Sequence, residues 1–382
     1  MMPRTHPGTP AETAHRAGLT VLGPADLTSL PQQVRRLDLA VLTGIAAFLD
    51  AATSLHSPEP LAPEDAARQA GAAPRHAWIL GHWLRALADE GWVTRCDDGA
   101  FHSLRRFRRA ELVAAREDVD QARRSLGYPA ELTRYLLDSL RHLPGLLRDE
   151  ISAQALLFPD GDLQVAGAAY RHNIINAYLN AAAVESVHRL PRTDAATGRV
   201  LELGAGTGSL TADLLPVLAR RTTEYLFTDL SPFFLHPARR RFAAHPFVRY
   251  ETLGLDDDLT ARYGAAAFDL VIAVNAAHNT VHAGALLERV AGLLAPGGTL
   301  LLIETCHEHH QSLVSMPFLL SARPGAPRTE RLDHRAGTSR TYLTRQEWLD
   351  AFTTAGLRPL LDLPSPGHPL AAFSQLLLIA QR

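Results

Sequence analysis

Three groups of residues in this chain of 382 have the types and spacing that chemistry needs. The first is the run Val200-Leu-Glu-Leu-Gly-Ala-Gly-Thr-Gly-Ser209, in which Glu202 is followed by Gly204, Gly206 and Gly208. Glycines spaced this way, where an apolar run turns into a helix, let the backbone bend sharply and approach a ligand without Cβ interference. A dinucleotide fingerprint, G-x-G-x-x-G, would need glycine at the position of Ser209. The second is Asp229, 21 residues past Gly208 and at the end of another apolar run; a carboxylate there can accept hydrogen bonds from both hydroxyls of a ribose. The third is His278 with Glu304, and Asn275 close by. An imidazole can take a proton from a nucleophile, and a carboxylate beside it fixes its tautomer and raises its basicity.

These groups need a scaffold, and the pattern from Gly198 onward supplies one. Short buried strands are expected over Val200–Leu203, Tyr225–Thr228, Leu270–Val274 and Leu300–Ile303, with helices centred on 212–218, 237–242 and 285–294 between them. A turn at Pro296-Gly297-Gly298 precedes the fourth strand, and a helix over 344–355 and a strand over 374–379 complete the domain. Strand–helix alternation of this kind predicts an α/β fold, a Rossmann-like doubly wound parallel sheet over 196–382. The strands before His278 and Glu304 would then be neighbours, about 4.8 Å apart, with both residues at the carboxyl-end crevice.

The first half reads differently. Residues 1–30 are rich in Pro, Thr, Ala and Gly and are expected to form a flexible tail. Over 31–109 a long amphipathic helix, a short helix opened by Pro63, a third helix with Trp83, and a hairpin across Asp98-Gly99 describe a mainly helical, winged-helix-like domain. Residues 110–195 are expected as a helical linker or lid.

The glycine run behind Glu202 resembles motif I of class I S-adenosylmethionine-dependent methyltransferases. Further pieces sharpen this: Leu157-Phe158-Pro159-Asp160-Gly161, Tyr170, Asn176, Phe227-Thr-Asp-Leu-Ser231 with Phe233-Phe234, Asn275-Ala-Ala-His278, Leu294-Ala-Pro-Gly-Gly-Thr-Leu300 and Glu304. In that order, over roughly 155–320, they resemble the C-methyltransferase domains of polyketide synthases and nonribosomal peptide synthetases. The winged-helix-like region and Arg340-Thr-Tyr-Leu-Thr-Arg-Gln-Glu-Trp348 look instead like bacterial small-molecule O-methyltransferases, as in a free-standing enzyme. The resemblance implies S-adenosyl-L-methionine as cofactor, contacted by Glu202, Gly204, Gly206, Gly208, Asp229, Leu230, Asp256 and Asn275. It also implies His278 as base, Glu304 as its orienting partner and Asn275 beside the substrate, and a homodimer built through the N-terminal domain. One departure stands out: the synthase domains carry Leu-Asp-Ile-Glu after the third strand, and this chain has Leu253-Gly-Leu-Asp256. Gly254 has no acid to offer adenine, which leaves Asp256, Asp257 or a backbone group. The Trp-rich segment that follows Glu304 in those domains has no counterpart.

Composition narrows the function classes. The 38 basic and 40 acidic residues leave a net charge of −2, unlike a polyanion binder. Every basic residue is Arg; the absence of Lys excludes Schiff-base chemistry and the P-loop. Two distant cysteines, Cys96 and Cys306, make neither a disulfide framework nor a Cys-rich zinc site. No signal peptide or membrane span is apparent, and a cytoplasmic protein is expected. The segment Cys306-His-Glu-His-His310 with His278 and His282 reads as a His-rich loop, with no metal expected.

The function expected is methyl transfer from S-adenosylmethionine to a small-molecule acceptor, free or carrier-protein-bound, at an acidic carbon. O- or N-methylation is the alternative. A different class, a winged-helix regulator sensing a nucleotide-like ligand, would use Arg75, His76, His82 and Arg85 with the cluster Arg105, Arg106, Arg108 and Arg109; Trp78 and Trp83 on the same helix suit burial better than base reading.

Overall fold

The computed structural model describes residues 9–24, 26–158, 173–190, 198–326 and 329–382; Pro159-Asp160-Gly161, Tyr170 and the rest of 159–172 within the expected helical lid lie outside them. The N-terminal expectation is corrected at once. Helix α1 (Pro10–Leu22) starts at a capping box, in which the Thr9 side chain accepts from the Glu12 N–H and Glu12 reaches back to the Thr9 N–H. Pro10 suits the first turn. Ala14 and Gly18, four apart, form a small-residue stripe against the helix Ile174–His188. A Cβ on Gly18 would fall 2.5 Å from Tyr178 Cδ2, and Tyr178 hydroxyl sits 2.6 Å from His15 Nδ1.

The chain forms two units, and their division differs from the expected boundaries. One comprises Thr28–Asn173 with Glu308–Thr329; the other comprises Met1–Leu27, Ile174–His307 and Glu330–Arg382. The stretch expected as one lid, 110–195, is therefore split: the helix Ile174–His188 packs with the sheet.

The helical unit runs α2 (Leu30–Ala52), α3 (Pro63–Gln69) and α4 (Ala77–Asp89), then the antiparallel hairpin β1 (Thr94–Arg95) and β2 (Phe101–His102). It continues through α5 (Arg109–Ser125), α6 (Ala130–Arg141), α7 (Leu143–Leu147) and α8 (Ala153–Leu157). Trp83 is fully buried, and its indole N–H donates to Leu313 O at 3.0 Å.

The second unit is built on seven strands: β3 (Gly198–Leu203), β4 (Thr222–Asp229), β5 (Val248–Thr252), β6 (Phe268–Val274), β7 (Leu294–Thr305), β8 (Arg358–Leu363) and β9 (Gln375–Gln381). They lie in the order β5-β4-β3-β6-β7-β9-β8. The first five are mutually parallel, and β9 inserts antiparallel between β7 and β8. Leu201, Leu203, Val271, Leu286, Leu300, Leu302, Trp348 and Phe352 belong to one core cluster, each large side chain contributing roughly 1.5–3 kcal/mol by burial. β8 was not expected: it is a short edge strand whose first three residues, Pro359 among them, are exposed, which leaves little apolar alternation to read. The strand order reverses between β3 and β6, so the crevice for a ligand opens at their carboxyl ends.

Candidate active site

Beyond β3 the chain turns through Gly204, Gly206 and Gly208, all with positive φ (61°, 54° and 67°). At Gly204 glycine is required for space as well as conformation, since a Cβ would lie 2.7 Å from Ala276 Cβ. At Gly206 nothing among the described residues stands within 4 Å of that position. Gly208 caps the helix Ser209–Leu218.

The two acids of this region are held differently. Glu202 is buried beneath the loop, where Oε2 accepts from the hydroxyls of Thr211 (2.6 Å) and Tyr225 (2.7 Å). Burial pushes its carboxyl up to about 7, against those two hydrogen bonds. Asp229, at the end of β4, accepts from the Gly206 N–H (2.9 Å) and the Ser231 N–H (2.8 Å). It ties the glycine loop to the neighbouring strand, and burial raises its carboxyl above the ordinary range. Next to it, Leu230 is 67% exposed, an apolar side chain standing in the open beside a carboxylate. Asp256 instead braces the loop after β6: it accepts from the Thr280 hydroxyl and, at 3.2 Å, from the Val281 N–H. Asp257 accepts from the Gly254 N–H at 2.8 Å.

β6 and β7 pair in parallel, Val274 opposite Ile303, so the residues that follow them converge. Glu304 is completely buried. It accepts from the Ala276 N–H (2.9 Å) and His278 N–H (3.3 Å) through Oε1, and its Oε2 lies 2.8 Å from His278 Nδ1. With a carboxylate on Nδ1 the proton sits there and Nε2 keeps its lone pair; Nε2 has no hydrogen-bond partner among the described residues. Asn275 has φ 48°, one of the few side-chain types tolerant of that region, and its Oδ1 accepts from Thr305 at 3.1 Å. Tyr342 meets the imidazole edge-on, with ring centroids 5.0 Å apart.

Sequence reasoning missed the underside of this loop. Arg335 is 1% exposed and uses all five of its donors: Nη1 to His278 O and Thr341 O, Nη2 to Thr280 O and Asp333, and Nε to Asp333. Asp333 also accepts from the Ala283 N–H at 2.9 Å. Burial opposes ionisation of Asp333, yet the Arg335 guanidinium and the backbone N–H groups hold its carboxyl well below the usual range. Nothing in the pattern around Asp333-His-Arg335 signals this; a buried arginine is invisible without its partners.

The His-rich run is distributed among separate carboxylates of the helical unit. His309 Nδ1 is 2.9 Å from Asp38, His310 Nε2 is 3.0 Å from Glu90, and Glu308 is 3.2 Å from His82. Among the described residues no three His, Cys, Asp or Glu side chains form a metal-holding group. Of the basic residues weighed for DNA, Arg75 is paired with Asp149 and Ala322 O, Arg105 with Glu111 and over the Phe107 ring, and Arg106 with Asp50. Among the described residues no helix is long and apolar enough to cross a membrane.

Residues 201–300 match the family described as "Methyltransferase domain". Together with the sheet order and the glycine loop, this match makes the chain an S-adenosylmethionine-dependent methyltransferase with the class I fold. Among curated proteins the chain is similar to the pyochelin synthetase PchF of Pseudomonas aeruginosa, 30% identical over 355 residues. The match takes in 91% of this chain but 19% of the synthetase, so the chain spans about a fifth of that relative's length. Among solved structures it resembles the CurJ carbon methyltransferase, with a TM-score of 0.80, 23% identity and coverage of 98% and 99% of the two chains. It also resembles the trans-methyltransferase CalH in complex with SAH, with a TM-score of 0.65, 20% identity and coverage of 92% and 91%. The likeness of fold to the carbon methyltransferase thus extends over the flanks that the sequence likened to O-methyltransferases.

Proposed function

We propose that this chain transfers the methyl group of S-adenosylmethionine to an acidic carbon of its acceptor, with His278 as general base and Glu304 as its orienting partner. The observation that carries this reading is the buried contact of 2.8 Å between His278 Nδ1 and Glu304 Oε2. A base needs a free lone pair directed at the acceptor and a partner for the charge it gains. Proton removal breaks the C–H bond, places the proton on Nε2 and leaves the electron pair on carbon; that pair would form the new C–C bond as the methyl group's bond to sulfur breaks, the bonding pair leaving with sulfur as the neutral thioether. Glu304 stabilises the imidazolium meanwhile.

S-adenosylmethionine supplies the electrophilic methyl group when bound. Gly204, Gly206 and Gly208 carry the backbone that would lie under it, and the space that the described residues leave beside Gly206 supports this assignment. Asp229 accepts from the ribose hydroxyls, and exposed Leu230 offers an apolar face to adenine. Asn275 orients the acceptor from the tip of β6. Glu202 acts from beneath the loop and Asp256 from beside it, both without a free carboxylate oxygen being required. The carbon-methyltransferase description of CurJ and the similarity to a synthetase support an acidic-carbon acceptor presented as a free small molecule or a carrier-bound thioester.

The test is transfer of a carbon-13 methyl group from labelled cofactor to a 1,3-dicarbonyl acceptor, offered free and as a carrier thioester. A product with a new carbon–carbon bond by NMR, lost in His278→Ala, is the expected result. Methyl on oxygen or nitrogen overturns the carbon assignment, and an undiminished rate in His278→Ala overturns the base.

A further inference from the structure

The segment 331–335 grips the loop that carries His278. Arg335 donates to His278 O and Thr280 O, and Arg331 donates to Asn279 O at 2.7 Å. The Leu332 N–H donates to Val281 O at 3.0 Å, and Asp333 takes the Ala283 N–H. The same guanidinium reaches Thr341 O at 2.9 Å, fixing the residue before Tyr342, whose ring packs against the imidazole. One buried cation thus spans the peptide bearing the imidazole and the peptide bearing the ring beside it. A buried guanidinium is costly unless its charge and all its donors are met, and here Asp333 meets the charge while backbone carbonyls meet the donors.

We propose that Arg335, neutralised by Asp333, is the positioning residue for His278: it sets the height and tilt of the imidazole from the backbone side while Glu304 sets its rotation from the ring side. This rests on His278 being the base. Glu304 holds one ring nitrogen and one N–H of the residue, and Asp256, Arg331, Leu332 and Asp333 hold the peptide beyond it; the fork on His278 O and Thr280 O fixes the carbonyl of the imidazole-bearing residue itself. Misplacement of a reacting group by about 1 Å can cost on the order of a hundredfold in rate.

Arg335→Lys keeps a cation for Asp333 but has three donors on a point charge and cannot span the same carbonyls. Arg335→Gln with Asp333→Asn in one chain removes the pair without stranding a charge, and serves if the single variant does not fold. The expected result is kcat lower by about ten- to a hundredfold, the acceptor KM and the calorimetric affinity for S-adenosylmethionine within about twofold of the parent, and a shifted or broadened Nδ1–H proton resonance of nitrogen-15-labelled His278. A merely structural role would lower the melting temperature and leave the rate below it, and that resonance, as in the parent. Parental kcat and resonance in a folded variant, with His278→Ala inactive, overturn the positioning role and spare the base. Full activity of His278→Ala overturns the base and the positioning role together.

Discussion

Glu304 holds His278 at two points, the ring Nδ1 at 2.8 Å and the backbone N–H at 3.3 Å, through its two separate carboxylate oxygens. The oxygen that takes the backbone N–H, Oε1, also takes the Ala276 N–H. One completely buried side chain therefore fixes both the ring and the peptide on which it stands. Glu304→Gln replaces one acceptor oxygen by an amine that cannot accept, so either the ring or the two N–H groups lose their partner. The expected outcome is a fall in kcat of roughly a hundredfold or more with cofactor affinity retained, read by radiolabel transfer and calorimetry on the same preparation.

Gly206→Ala separates ligand approach from folding. Its φ of 54° costs an L side chain about 1–2 kcal/mol, and among the described residues no atom within 4 Å adds to that. The added methyl group projects into the space assigned to the cofactor. Thermal unfolding should shift by only a few degrees, while binding of S-adenosylmethionine weakens at least tenfold. At Gly204 the same substitution should also lower stability, because Ala276 already occupies the site.

Asp229 and Leu230 separate polar from apolar recognition. Asp229→Ala removes the acceptor of the Gly206 and Ser231 N–H groups as well as the proposed ribose partner. Cofactor affinity should drop by about 1.5–3 kcal/mol, as for hydrogen bonds to a charged group. Leu230→Ala should leave stability unchanged, since the side chain is already exposed, and weaken the cofactor's binding severalfold; unchanged affinity removes Leu230 from the adenine contact.

Glu202 gives stability a pH dependence of unusual sign for a carboxyl group. Burial lifts it from an ordinary 4.5 to about 7, so the folded chain holds a proton there that the unfolded chain releases. The stabilisation is fully present below about pH 4.5 and is lost as pH rises through about 7, a contribution on the order of 3 kcal/mol. Glu202→Gln keeps a neutral acceptor for Thr211 and Tyr225, so its melting temperature should fall less than the parent's between pH 5 and pH 8. Parallel melting curves across that range would show the carboxyl to be ionised throughout.

Much of this site is legible in one dimension because its parts are local. Glycines in strict alternation after Glu202, and Asp229 at a strand end, are short-range consequences of a backbone that must turn under a ligand. Where reasoning failed, the cause was physical. The capping box at Thr9 and Glu12 was hidden in a Pro- and Thr-rich stretch whose composition suggested a tail, and the helix it starts is held by Tyr178, far along the chain. That Asp256 braces Thr280 and Val281, beyond the next strand, is likewise announced by no spacing.

By itself the sequence determined the α/β class, the glycine loop, the carboxylate on the second strand of the sheet, and the candidate pair of His278 and Glu304, because each follows from residue type and local period. Tertiary structure decided how these act together. It set Glu304 against two N–H groups and a ring, carried Arg335 from 57 residues downstream to the carbonyl of His278, and sent Glu308, His309 and His310 to three separate partners, His82, Asp38 and Glu90. Hydrogen-bond partners so distant along the chain are chosen by strand order and packing, and periodicity records neither.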